Sequence, residues 1–158
     1  MKIITYTDKY KEQVIKLIFD IAEIELGHHS QSGRADIKNI PEFYQRNECE
    51  NFWLAIDGKN NVVGTVALSD RKNGNGELQR MYVRQDMRRQ GIATALLEEL
   101  LNFARQKKYK TIYLTTFDEP GAKHYFYQNN GFKKTESAPE EIDHPSHPYV
   151  FYKLEIKQ

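Results

Sequence analysis

The stretch that decides the fold runs Glu77-Leu78-Gln79-Arg80-Met81-Tyr82-Val83, then Arg84-Gln85-Asp86-Met87, then Arg88-Arg89-Gln90-Gly91-Ile92-Ala93. The first seven residues read as a strand. A short basic loop follows, and a glycine opens a long helix over 91–107. In that helix Ile92, Leu96, Leu100 and Phe103 form one stripe, and Ala93, Leu97, Leu101 and Ala104 an adjacent one. Two stripes make a broad apolar face, as expected of a helix lying on a sheet. The N–H groups of its first turn lack intrahelical acceptors, and the helix dipole makes that end positive. Gly91 and Ala93 are small, so a phosphate can approach the backbone. Arg88 and Arg89, with Arg84 nearby, add charge in a fork that suits phosphate oxygens. The pattern predicts a diphosphate site. No GxxxxGK[ST] and no GxGxxG occurs, which argues against a P-loop ATPase or GTPase and against a Rossmann dinucleotide site. A helix that starts this way and binds nothing stays open as an alternative from this fragment alone.

Working outward, Ile3–Tyr6 reads as a first strand. Val14, Leu17, Ile18, Ile21 and Ala22 recur at helical spacing, with Thr7 or Asp8 as cap and an end near Gly27. Positions 28–39 are polar and irregular. Ile37, Ile40, Phe43 and Tyr44 suggest a short helix with Pro41 near its start. Two β-branched and aromatic runs, Phe52–Ile56 and Val62–Leu68, flank Asp57-Gly58-Lys59-Asn60-Asn61 and predict a hairpin. After the long helix come a strand at Thr111–Thr115, a short helix at Ala122–Asn129, a strand from Gly131-Phe132 and a last strand at Tyr149–Ile156. Helices interleave with strands only in the second half. The expected fold is therefore a single domain over 1–158: an α/β (α+β) arrangement with a mixed, mostly antiparallel sheet of about seven strands and four helices.

Composition sets the bounds. The chain has 158 residues, with 23 Lys plus Arg against 22 Asp plus Glu. A net charge of +1 argues against a nucleic-acid partner held by bulk charge. The mean hydropathy of −0.74 is polar, but eight Phe, ten Tyr and one Trp can build a core. The lone Cys49 permits no intrachain disulfide and fits a reducing, cytoplasmic setting. The opening residues MKIITYTDKY have no apolar h-region, and no long apolar run occurs, so neither a secretory signal nor a membrane span is expected.

Taken in order, these motifs resemble the GCN5-related N-acetyltransferases. Arg88-x-x-Gly91-x-Ala93 matches that family's acyl-CoA-binding pattern, Gln/Arg-x-x-Gly-x-Gly/Ala. Tyr127-x-x-x-Gly131-Phe132 resembles its later Tyr-x-x-x-Gly-Phe, and the hairpin with Gly64 looks like its second and third strands. The resemblance implies an acetyl-CoA-dependent N-acetyltransferase acting on the primary amine of a small molecule, amino acid or peptide, with acetyl-CoA as co-substrate and no metal. A non-catalytic acyl-CoA-binding module of the same fold is the alternative. It further implies that the fourth and fifth strands splay, that the backbone of Met81 and Val83 pairs with the pantetheine arm, and that N–H groups of Arg89, Gln90, Gly91, Ile92, Ala93 and Thr94 cradle the pyrophosphate. Arg88 or Arg89 would stand nearby as charge. A backbone N–H near Met81 would polarise the thioester carbonyl.

Acyl transfer to an amine needs a deprotonated amine, a donor for the oxyanion, and a proton or hydrogen bond for the departing thiolate. The resemblance places Tyr127 as that last donor, although Tyr125, Phe126 and Phe132 would also make it a packing aromatic. Glu77 is the candidate base, or else a solvated strand-end residue. Asp36 could hold a substrate ammonium, or cap a helix before Ile37. Cys49 lies among Glu48 and Glu50, which disfavours a thiolate nucleophile and favours direct attack. The family pattern has Asn and Ala where this chain has Pro120 and Lys123. His28, His29, His144 and His147 match no zinc spacing. His124 reads as a surface residue. Tyr44, Phe52 and Trp53 suit either a pocket wall or the core. The oligomeric state is open, a homodimer included.

Overall fold

The computed structural model describes residues 1–25, 27, 35–118, 121–142 and 149–157. Strand β1 (Lys2–Thr5) leads through a 3₁₀ turn (Asp8–Tyr10) into α1 (Lys11–Phe19), which continues as a π-helical turn over Asp20–Glu25. Short helices α2 (Ala35–Lys38) and α3 (Ile40–Tyr44) follow. Then come β2 (Asn51–Ile56), β3 (Val62–Asp70), β4 (Asn75–Val83), α4 (Ile92–Gln106), β5 (Thr111–Phe117), α5 (Ala122–Asn129), β6 (Lys133–Thr135) and β7 (Tyr149–Glu155). One sheet holds all seven strands in the order β1-β2-β3-β4-β5-β7-β6. Among the described residues, only β4 and β5 pair in parallel.

The expected sheet and long helix are present. Two details differ. Among the described residues, helix α2 makes five α-helices where four were expected, because the polar stretch carries Ile37, which is fully buried beneath it. Neither Thr7 nor Asp8 caps a helix. Thr7 makes no side-chain cap bond, and Asp8 instead accepts the hydroxyl of Tyr6 at 3.0 Å.

Both faces of the sheet are covered. Trp53 and Ala55 of β2 join a core under α4, while Phe52, Leu54 and Ile56 join a second core under α1, α2 and α3. Period-two alternation sends each set to its own face, so β2 reads as a continuous apolar run with every residue buried. Phe52 and Trp53 are thus core residues, whereas Tyr44 also lines a cavity. Gly64 lets α4 settle on the sheet: a Cβ there would lie 3.0 Å from Leu96 and 3.1 Å from Ile92. No helix among the described residues is long and apolar enough to cross a membrane.

Two irregularities position the site. The β4–β5 ladder runs Asn75↔Thr111, Gly76↔Ile112 and Glu77↔Tyr113, then stops, although β4 continues to Val83 and β5 to Phe117. The strands splay beyond that point. On its other side β4 bulges. Thr65 faces Tyr82 and Ala67 faces Gln79, so Arg80 and Met81 together oppose Val66. Arg80 sits in the bulge with φ +55°, and its carbonyl accepts the hydroxyl of Thr65 at 2.7 Å.

Candidate active site

The splay opens a groove of about 660 Å³, lined among others by Met81, Val83, Arg88, Gly91, Thr94 and Tyr127. The backbone of β4 faces it. Arg84 donates its N–H to the carbonyl of Val63 at 2.8 Å, which makes Gly64↔Val83 the next, non-hydrogen-bonded pair. In antiparallel pairing, the polar backbone groups of such a residue point away from the partner strand. The N–H and C=O of Val83 therefore point from β3 toward the splayed side. The Val83 carbonyl already accepts Nε of Arg88 at 2.9 Å, which ties that arginine to the groove wall.

At one end of the groove, α4 begins without a side-chain cap. Gly91 is left-handed at φ +81°, and the first helical bond runs from Ala95 N–H to the Gly91 carbonyl at 3.0 Å. The N–H groups of Ile92, Ala93 and Thr94 therefore have no intrahelical acceptor. Arg89, also left-handed at φ +62°, is exposed on the same turn. Two predicted residues fall outside the lining. Ile92 turns its side chain into the core, and Gln90 reaches back to the Asp86 carbonyl at 3.5 Å. Arg84 is paired with Asp86 at 2.6 Å and does not line the groove, so the basic cluster reduces to Arg88 and Arg89.

Tyr127 stands in the groove wall, only 3% exposed, with its ring against Phe126, Phe132 and Tyr152. Burial first, and the neighbouring Tyr82 phenol second, push its phenol above the ordinary tyrosine range. It stays protonated at neutral pH and offers an O–H. His124 is not the surface residue expected. It lines the groove, with Nε2 at 2.8 Å from the Phe117 carbonyl and Nδ1 at 2.8 Å from the Tyr152 hydroxyl. A carbonyl only accepts, so Nε2 donates to Phe117, while Nδ1 shares a hydrogen bond with the Tyr152 hydroxyl. This bridge links the C-terminal end of β5 to α5 and β7. Lys123 lies 5.8 Å from the Tyr82 ring centroid. Pro120 lies outside the described residues, as do His28, His29, His144 and His147.

A second cavity, of about 490 Å³, adjoins the groove at Tyr82, which lines both. Asp36 and Glu77 meet here, 41 positions apart in sequence. Glu77 is not a solvated strand-end residue. It is 2% exposed, and Oε1 accepts Nε of Arg71 at 2.8 Å. The ammonium-binding role expected for Asp36 conflicts with its partners. Its two oxygens accept Nη2 and Nε of Arg80, each at 2.8 Å, and Oδ2 also accepts the Tyr44 hydroxyl at 2.6 Å. Burial first, and the Asp36 charge second, push the Tyr44 phenol up. Cys49 lines neither cavity. A further cavity of about 690 Å³ lies between α1 and the loop after β4; its charged residues pair among themselves, Lys16 with Asp20 and Arg84 with Asp86. Among the described residues, no group of three or more His, Cys, Asp or Glu is placed to hold a metal.

Sequence found the groove through its glycine and tyrosine motifs. It missed Arg71, Arg80 and His124. Strand periodicity marks which face a residue takes, not which partner it meets.

Comparison with known proteins agrees with this geometry. The sequence profile of the acetyltransferase (GNAT) domain matches residues 48–134. The chain is 35% identical over 130 residues to a Xenopus tropicalis protein named "Probable N-acetyltransferase camello", covering 78% of this chain and 58% of that protein. It is 37% identical over 113 residues to the N-acetylaspartate synthetase of the same organism, covering 70% of this chain and 41% of that protein. This chain thus spans about half the length of the curated relatives it matches. A Staphylococcus aureus acetyltransferase of the GNAT family superposes with a TM-score of 0.91, at 30% identity and 99% coverage of both chains. PaiA N-acetyltransferase from Thermoplasma acidophilum, solved in complex with coenzyme A, superposes with a TM-score of 0.78 at 17% identity, covering 98% of each chain, and shares the fold.

Proposed function

The chain belongs to the acetyltransferase (GNAT) family, and from that membership we propose that it transfers an acetyl group directly from acetyl-CoA to the primary amine of a small molecule or amino acid. One observation carries the reading. The splay beyond Glu77↔Tyr113 has the uncapped start of α4 at one end and Tyr127 in its wall, and it opens at Tyr82 onto a second, polar cavity. Two substrates can meet there without an enzyme nucleophile. The coenzyme A bound to the Thermoplasma protein supports the first substrate. The name of the N-acetylaspartate synthetase supports an amino-acid acceptor.

The roles follow from the chemistry. N–H groups of Gly91 to Thr94, with Arg88 and Arg89, hold the pyrophosphate at the positive end of α4. The Val83 N–H pairs with the pantetheine arm, and the N–H of Met81, in the bulge, faces the developing oxyanion. Arg88 already donates to the Val83 carbonyl, and the Val83 N–H is the contact proposed for the arm. The acceptor nitrogen attacks as the neutral amine, forms the C–N bond and displaces the sulfur. Tyr127 meets the departing thiolate with its O–H. Its raised pKa makes it a hydrogen-bond donor rather than a ready proton source, since a thiol near pKa 8.5 is the stronger acid. The amine proton leaves toward Glu77 through solvent in the second cavity, where Arg71 pairs with that carboxylate.

The test is free-thiol release from acetyl-CoA with panels of amines, amino acids and peptides. Release that requires both acetyl-CoA and an amine supports the reading. Release that proceeds equally without an amine, or never occurs, contradicts it.

A further inference from the structure

We propose that the acceptor amine carries an anionic group, a carboxylate above all, and that Arg46, Arg71 and Arg80 receive it. The inference rests on the acyl-transfer reading for the reaction and adds the chemistry of the second cavity. Each of these arginines lines that cavity, and each is paired with a carboxylate: Arg46 with Glu50, Arg71 with Glu77, Arg80 with Asp36. In every pair the arginine side chain is the more exposed, at 48% against 0%, 22% against 3%, and 22% against 18%. Glu50 and Glu77 lie beneath their guanidiniums, while Asp36 is nearly as exposed as Arg80 but has both oxygens taken.

Hydrogen bonding points the same way. Both oxygens of Asp36 are held by Arg80, one of them also by Tyr44. Both oxygens of Glu50 are held by Arg46, and Oε1 also takes the N–H of Asp70. Glu77 is held by Arg71. The cavity thus offers a ligand little free carboxylate. A guanidinium carries five N–H donors. In Arg46, Arg71 and Arg80 the bonds to protein run through Nε and Nη2, so Nη1 remains a donor in each. Planar guanidinium donors match a carboxylate and repel an ammonium. A polyamine would meet three cations. An amino acid with an acidic side chain would place its carboxylates on them and its amine toward the groove at Tyr82. At about 490 Å³ the cavity suits a molecule of that size.

Kinetics on the unmodified protein decide the matter. Thiol release from acetyl-CoA is measured with L-aspartate and L-glutamate, with their amides L-asparagine and L-glutamine, and with putrescine. The expected result is a kcat/KM at least tenfold higher for a dicarboxylate than for its amide, and lowest for putrescine. In Arg71→Lys, which keeps the charge and loses the fork, the preference narrows while KM for acetyl-CoA holds. An amide or putrescine used as well as the acids overturns the proposal and leaves the transfer reading standing. If no amine supports thiol release, the transfer reading fails. Thermal shift then decides this inference alone: a midpoint raised by aspartate and not by asparagine upholds it, and equal midpoints overturn it.

Discussion

Arg80 forks onto Asp36 through Nε and Nη2, each at 2.8 Å, across 44 positions of sequence. The pair ties the bulge of β4, which presents backbone to the groove, to helix α2, which walls the neighbouring cavity. Burial works against the Arg80 cation, yet the facing phenols of Tyr44 and Tyr82 and the Asp36 carboxylate hold its pKa above the ordinary value. In Asp36→Asn the fork loses its charge. The expected cost is about 2 kcal/mol, seen as a melting temperature roughly 4–8 °C lower. KM for the acceptor rises and KM for acetyl-CoA holds. An unchanged melting temperature would show that the pair ties nothing.

Tyr127→Phe removes one hydroxyl and keeps the ring that packs on Phe132 and Tyr152. The protein folds and binds acetyl-CoA with its original affinity, while kcat falls by roughly 10²-fold. Turnover equal to the unmodified protein would remove Tyr127 from the reaction and reopen the reading of a binding module.

Gly91→Ala probes the turn. A Cβ there meets nothing within 4 Å, so crowding is not at issue. The backbone at φ +81° is what an L-residue resists, by about 1 kcal/mol. The turn relaxes and its N–H groups lose their common direction. Affinity for acetyl-CoA is expected to fall several-fold, with acceptor KM unchanged. Equal affinity by calorimetry would show that the turn does not set the phosphate site.

Glu50 carries a pH prediction. Burial favours its neutral form, but hydrogen bonds from Arg46 and the Asp70 N–H prevail and hold its pKa below the ordinary 4.5. A carboxylate whose folded pKa is lowered adds stability above its unfolded pKa and loses it as pH falls through the folded value. The melting temperature therefore declines as pH drops below about 4.5. In Glu50→Gln it is lower at neutral pH and declines less steeply in that acid range. Parallel declines in the two proteins would contradict the assignment.

The groove was legible in sequence because its parts are local. The stripes from Ile92 to Ala104 fix the face of α4, Gly91 marks a turn that requires positive φ, and Tyr127 precedes Gly131-Phe132 at a set spacing. The acceptor cavity was not legible. Glu77 reads as a solvated strand end until the β3–β4 turn folds Arg71 over it, and Asp36 reads as free until Arg80 crosses the sheet to it. His124 reads as surface because one helical position does not reveal the Phe117 carbonyl and Tyr152 hydroxyl that flank it. The bulge at Arg80 depends on pairing with β3, which no local pattern encodes.

Calorimetric titration with acetyl-CoA tests the central claim most directly, because the groove between β4 and β5 must bind it before any transfer. The account predicts saturable binding of one acetyl-CoA per chain, weakened in Gly91→Ala and retained in Tyr127→Phe. Absence of binding at millimolar acetyl-CoA would contradict it.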